Sequence, residues 1–304
     1  MSFKRRDFLK VAAGTAGLAL LGPGKSADAS SAVPNPNNPE FFGMLIDTTA
    51  CIGCRACEQA CGEQNKLAEQ PAEYWDDKTM DQPRDTTPDT YLVVNKYPNP
   101  ADPSKPIFSR KQCMHCNQPA CASACLVKGL EKTKEGPVNY DKTRCMGCRY
   151  CMIACPFDIP KFNYDSPTPV ISKCVFCTSR LKNGEKPACA DACPTGATLF
   201  GTRRELLEEA KKRIYTNPGK YHNKIYGENE VGGTGFMYLS SVPFEQIGMK
   251  KNIGSTPYPE DTLGFLFSVP LVDVLWPALL AGLYSISKGK DAENQKDEKE
   301  THHE

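Results

Sequence analysis

The sequence predicts an α+β protein: two cysteine-rich modules with loop insertions, followed by a C-terminal transmembrane helix. Three observations carry this. All sixteen cysteines fall into four quartets, 51/54/57/61, 113/116/121/125, 145/148/151/155 and 174/177/189/193, with none left over. Short apolar runs of strand length, such as Gly43-Met44-Leu45-Ile46 and Tyr91-Leu92-Val93-Val94, lie between and beside the quartets. Residues 262–287 form a 26-residue stretch whose only charge is Asp273, longer than the roughly 20 residues that cross a bilayer. The balance of 37 basic and 36 acidic residues leaves no basic excess to suit a nucleic acid.

The third quartet organises the chain. Cys145, Cys148, Cys151 and Cys155, followed by Pro156, read C-x2-C-x2-C-x3-C-P, the run with which bacterial ferredoxins hold [4Fe–4S] clusters. The short intervals curl three thiolates around three irons of one cubane, while the fourth points away and ligates a different cluster. Pro156 has no N–H and fixes where Cys155 points. Such a run demands a second cluster, and four quartets imply four cubanes arranged for electron transfer.

From the N-terminus, residues 1–29 read as a twin-arginine signal peptide, with Arg5-Arg6 ahead of Phe8-Leu9-Lys10. The apolar run 11–22 is too short to span a bilayer, and Ala27-Asp28-Ala29 offers cleavage after Ala29. An exported chain rich in cysteine would ordinarily be a disulfide framework. A chain of 304 residues needs no such staples, and a C-x2-C-x2-C triplet would strand an odd thiol. The twin-arginine route carries folded proteins, so clusters inserted before export are compatible with the signal. Residues 30–40, with Pro34, Pro36 and Pro39, are a linker.

Two internal repeats follow. Residues 47–57 and 141–151 both read D-x-T-x-C-x-G-C-R-x-C. The glycine is expected at positive φ where the loop closes on sulfur, and Asp47 and Asp141 are expected to brace the loop. Pro119-Ala120-Cys121-Ala122-Ser123-Ala124-Cys125 matches Pro187-Ala188-Cys189-Ala190-Asp191-Ala192-Cys193, each preceded by a C-x2-C pair. The quartet types therefore alternate along the chain. A module needs one of each type, and spacing alone permits either adjacent pairing (51-set with 113-set) or nested pairing (51-set with 174-set).

This arrangement resembles the ferredoxin-like electron-transfer subunits of membrane-associated bacterial oxidoreductases, among them the iron–sulfur subunits of formate dehydrogenase, dimethyl sulfoxide reductase and [NiFe] hydrogenase. The likeness covers residues 41–201 and implies two nested bacterial-ferredoxin-like modules. By it, Cys51, Cys54, Cys57 and Cys193 hold cluster a, and Cys174, Cys177, Cys189 and Cys61 hold cluster b. Cys113, Cys116, Cys121 and Cys155 hold cluster c, and Cys145, Cys148, Cys151 and Cys125 hold cluster d. Leu126 and Gly62 stand where the family often has proline, with no ligand lost.

Between quartets, residues 63–112 form a Pro- and Asp-rich insertion in which Tyr74 and Trp75 are expected to be buried. Residues 137–140 and 197–200 read as short strands, and Thr202-Arg203-Arg204-Glu205 opens a helix through a capping box. The whole of 202–260 is expected to be this helix and an extended segment that docks a partner. Positive-inside bias orients the transmembrane helix, 261–288: Glu260-Asp261 precede it, Lys288 and Lys290 follow it. The cluster domain then lies on the periplasmic side and the charged tail 289–304 in the cytoplasm. Asp273 is expected to bond a neighbouring helix, with a quinone or proton site as the alternative.

No C-x-x-C is followed by His, which excludes c-type haem. A structural zinc protein is the rival from another class, but zinc pairs are normally farther apart than C-x2-C-x2-C allows. The export signal with a C-terminal anchor, the run Lys111-Gln112-Cys113-Met114-His115-Cys116, and Val242-Pro243-Phe244-Glu245 resemble the HybA-like subunits of periplasmic membrane-bound [NiFe] hydrogenases. That likeness implies no catalytic site in this chain. It implies electron transfer between the hydrogenase small and large subunits and a polytopic quinone-reactive membrane subunit. The alternative is the same role beside a molybdopterin oxidoreductase or a multihaem cytochrome.

Overall fold

The computed structural model describes residues 41–167 and 170–301, with side chains to 289. The expected signal peptide and linker, 1–40, lie outside the described residues. The described residues up to Asp261 form one compact unit. At its centre is strand β1, Phe42–Asp47, flanked by β8, Thr198–Thr202, antiparallel, and β9, Phe236–Leu239, parallel.

The period-2 alternation of these strands divides the interior in two. Leu45, Met237 and Leu239 face one way and pack on Leu206 and Ala210 of helix α6, Arg203–Thr216. Met44, Ile46, Phe236 and Tyr238 face the other way, into a core that also holds Cys113 and Cys189. The cysteine loops are thus mounted on one face of a three-stranded sheet whose other face is sealed by a helix. That helix begins with the expected capping box, Thr202 and Glu205 bonding each other's backbone N–H, a device worth about 0.5–2 kcal/mol.

The partner-docking expectation for 202–260 needs correction at 236–239. Phe236, Met237, Tyr238 and Leu239 are fully buried in the sheet, because an apolar four-residue run gains more by pairing with β1 than by lying on the surface.

The remaining strands form antiparallel hairpins: β2, Leu92–Tyr97, with β3, Ile107–Gln112; β4, Leu130–Lys132, with β5, Val138–Tyr140; and β6, Lys161–Phe162, with β7, Ile171–Ser172. In the insertion, Tyr74 is half-buried but Trp75 is 39% exposed, contrary to the expected burial. The reason is Arg55, whose guanidinium stacks on both rings at 4.7 and 4.9 Å and fills the space beneath them. Buried Glu58 ties the insertion down, accepting from Tyr74 Oη at 2.7 Å, from Arg84, and from the Val94 N–H.

Short helices α2, Ala120–Ser123, α4, Thr178–Lys182, α5, Ala188–Asp191, and α7, Tyr258–Asp261, complete the order, and the C-terminal helix α8 runs Leu263–Thr301. Its window within Tyr258–Gly289 has mean hydropathy 1.9, so it is long and apolar enough to cross a membrane. Pro270 and Pro277 lie inside it, where each removes one intrahelical hydrogen bond.

Candidate metal centre

The two repeated loop types each have their own backbone signature. In the C-x-G-C-R-x-C loops, Gly53 and Gly147 have φ of 72° and 73°, and Arg55 and Arg149 have φ of 61° and 63°. These left-handed residues turn successive sulfurs to one side and start helices α1, Ala56–Asn65, and α3, Tyr150–Ala154. Glycine is obligatory at 53, where a Cβ would stand 2.4 Å from the Phe108 ring. In the C-x-x-C pairs, His115 and Phe176 occupy the same place with φ of 46° and 57°. Asp47 and Asp141 brace their loops as expected: each accepts from the N–H and hydroxyl of the threonine two residues on, Thr49 and Thr143. Asp47 also pairs with Arg213 at 2.9 Å, fastening the first loop to α6.

The cysteines gather in sets that cross the sequence quartets. Cys51, Cys54, Cys57 and Cys193 line one cavity. Cys61, Cys174, Cys177 and Cys189 line a second. Cys113, Cys121 and Cys155 surround Cys116, and Cys125, Cys145 and Cys148 surround Cys151. The sets form a series: Cys57 neighbours Cys189, Cys174 neighbours Cys113, and Cys121 neighbours Cys151. The exposed cysteines, Cys54 and Cys148, belong to the two ends of that series.

The donor set fits iron–sulfur clusters. Among the described residues none of the cysteines is in a disulfide. Four cysteines line each of two cavities, the set a cubane takes, with each thiolate on a different iron. Burial pushes Cys57 up to about 12 and Cys151 to about 11, and raises Cys61 and Cys121 as well. Iron ligation needs these groups as thiolates, so the positive charge of bound irons offsets what burial opposes. Cys193 goes the other way: despite its burial, the Thr195 hydroxyl and backbone N–H groups hold it below its ordinary value.

Basic side chains complete the site, and these the motifs did not single out. Arg110 is buried, lines the Cys51 cavity, and finds no oxygen or nitrogen partner for its three guanidinium nitrogens, which face the Cys189 sulfur. Lys132 is buried with Nζ donating to the His115 carbonyl at 3.0 Å, and burial lowers it to about 7. Lys173 Nζ donates to the carbonyls of Val138 and Cys174. His115 is fully buried, and burial holds it neutral. Its Nδ1 accepts from the Val138 N–H, so the proton sits on Nε2, 3.4 Å from Cys174 Sγ. The available signal was position: Lys173 directly precedes one C-x2-C pair and Arg110 stands three residues ahead of another, where a half-buried strand would carry an apolar residue.

Residues 105–203 match the family model described as a 4Fe-4S dicluster domain. A protein of Nitratidesulfovibrio vulgaris is 47% identical over 289 residues, 94% of this chain and 78% of its own. The hydrogenase-2 operon protein HybA of Escherichia coli O157:H7 is 36% identical over 81% of this chain and 84% of its own. The chain belongs to the HybA family. The formate dehydrogenase-O iron-sulfur subunit of E. coli K12 is a further relative, 34% identical over 68% of this chain and 70% of its own. Like these relatives, the HybA-family chain is an iron–sulfur electron-transfer subunit of an oxidoreductase complex and not the catalytic subunit.

Proposed function

We propose that this HybA-family chain carries four [4Fe–4S] clusters and passes electrons between a periplasmic [NiFe] hydrogenase and a quinone-reactive membrane subunit. The observation that carries the reading is the continuous series of four cysteine sets with an exposed cysteine at each end. Cluster a is assigned to Cys51, Cys54, Cys57 and Cys193, and cluster b to Cys61, Cys174, Cys177 and Cys189. Cluster c is assigned to Cys113, Cys116, Cys121 and Cys155, and cluster d to Cys125, Cys145, Cys148 and Cys151.

Each cluster, when bound, accepts and releases one electron. The chain's residues do the rest. Positive-φ loops aim the sulfurs, the apolar sheet face excludes water from the interior sets, and the thin cover at Cys54 and Cys148 lets redox partners approach the ends. The name of the relative HybA favours a hydrogenase as catalytic partner. The formate dehydrogenase relatives favour the same role beside a molybdopterin enzyme. The apolar C-terminal helix supports anchoring beside a membrane subunit, and the Arg5-Arg6 signal supports export by the twin-arginine route.

Anaerobic purification of the native complex tests this reading. About sixteen irons and sixteen acid-labile sulfides per chain are expected, together with a nickel–iron hydrogenase as the largest subunit. Stoichiometric zinc without labile sulfide would end the cluster reading. A molybdopterin subunit in place of hydrogenase would leave the clusters and change only the partner.

A further inference from the structure

Arg110 stands out among the described residues as a charge without a visible role in the fold. It lies on β3, is 4% exposed, and its guanidinium nitrogens meet no oxygen or nitrogen acceptor; the acceptor within its reach is the Cys189 sulfur. An unpaired cation in a protein interior is strongly disfavoured. Arg cannot escape by losing its proton, because guanidinium stays protonated in proteins. Its surroundings explain its presence. The side chain lines the cavity formed by Cys51, Cys54, Cys57 and Cys193, and it also faces Cys189 of the neighbouring set. Arg110 therefore sits between the two cysteine sets, with its guanidinium turned to their sulfurs.

We propose that Arg110 is a redox-positioning residue: a fixed positive charge, shared by clusters a and b, that raises the reduction potential of both. The proposal rests on the cluster assignment above. A cubane held by four thiolates is net negative and becomes more so by one charge when it takes an electron from its redox neighbour. A buried cation beside it favours the reduced form, and net charge and hydrogen bonds to sulfur are established levers on such potentials. The low local dielectric enlarges the effect. No proton moves, because the guanidinium keeps its own. One charge serving two clusters keeps their potentials close, which suits adjacent steps of a relay that exchange electrons in either direction. Cluster c lies farther along the series, where Lys132 and Lys173, not Arg110, adjoin the sulfurs of Cys116 and Cys121, and cluster d lies beyond it.

The test is a potentiometric titration of the full native complex, followed by electron paramagnetic resonance, with Arg110→Gln and Arg110→Lys beside the wild type. With iron content unchanged, Arg110→Gln is expected to cut the reduced-to-oxidised ratio of two clusters at least tenfold at a fixed potential. That is a downward shift of about 59 mV for a one-electron couple. The other two clusters shift less, and Arg110→Lys retains wild-type potentials. Unchanged potentials in the Gln variant, an equal shift of all four, or a Lys variant as low as Gln would each overturn the proposal. Should the Gln variant lose iron, wild-type protein labelled with 15N-arginine decides. Pulsed resonance on the reduced clusters should show a guanidinium nitrogen coupling, and its absence would overturn the role. A wild-type chain without iron would instead be a failure of the cluster reading.

Discussion

At the scale of single residues, the two glycines of the repeated C-x-G-C loops separate conformational from steric necessity. Both have φ near +70°, where an alanine costs roughly 1–2 kcal/mol. They differ in what lies above them. A Cβ on Gly53 meets the Phe108 ring at 2.4 Å, while one on Gly147 stops at an ordinary 3.5 Å from Phe162. Gly53→Ala must therefore add overpacking, typically 1–3 kcal/mol, to the strain that both share. The expected result is a larger loss of urea midpoint for Gly53→Ala than for Gly147→Ala, with cluster a the first to lose its signal. Equal losses would mean that the Phe108 ring yields without cost. The positive φ was legible in the sequence, since only glycine recurs between those cysteines. The Phe108 lid was not, because it comes from a strand 55 positions further on that sequence periodicity does not mark.

At the scale of elements, what the sequence revealed depended on whether an element's reason for existing was local. The capping box of α6 and the apolar run of β1 are written in neighbouring residues, and both form where expected. The cysteine loops were legible for the same reason, since ligand spacing is a local property. Strand β3 escaped notice because Ile107-Phe108-Ser109-Arg110-Lys111-Gln112 carries charge inside a buried hairpin, and that charge is explained only by sulfurs from other segments. Strand β9 was misread because its partner, β1, lies nearly two hundred residues upstream. Leu239→Ala puts the corrected reading to the test. Leu239 is fully buried against α6, so truncation is expected to cost about 2–5 kcal/mol in urea unfolding. A surface segment awaiting a partner would lose almost nothing.

At the scale of the whole molecule, the order of the wire follows from which cysteines share a cubane. Spacing left adjacent and nested pairing open, because both give every cluster four thiolates. The geometry places Cys193, from the far end of the cluster domain, in the cavity of Cys51, Cys54 and Cys57. Cys125 stands beside Cys151. On this basis Cys54→Ser and Cys193→Ser are expected to perturb one and the same paramagnetic resonance signal. Cys148→Ser and Cys125→Ser should perturb another. Serine supplies a harder oxygen ligand of similar size, so a cluster either persists with altered potential or sheds one iron. Two outcomes are thus distinguishable from global unfolding, because the three untouched signals remain. If Cys54→Ser and Cys125→Ser share a signal instead, the pairing is adjacent and the series is reordered. The distinction has a physical consequence for electron flow. In the nested order, the two clusters beneath Cys54 and Cys148 are separated by two interior ones, so an electron entering at either exposed end must traverse Cys57–Cys189, Cys174–Cys113 and Cys121–Cys151 in turn. Removing an interior cluster should then stop transfer between the two partners while leaving each end reducible by its own.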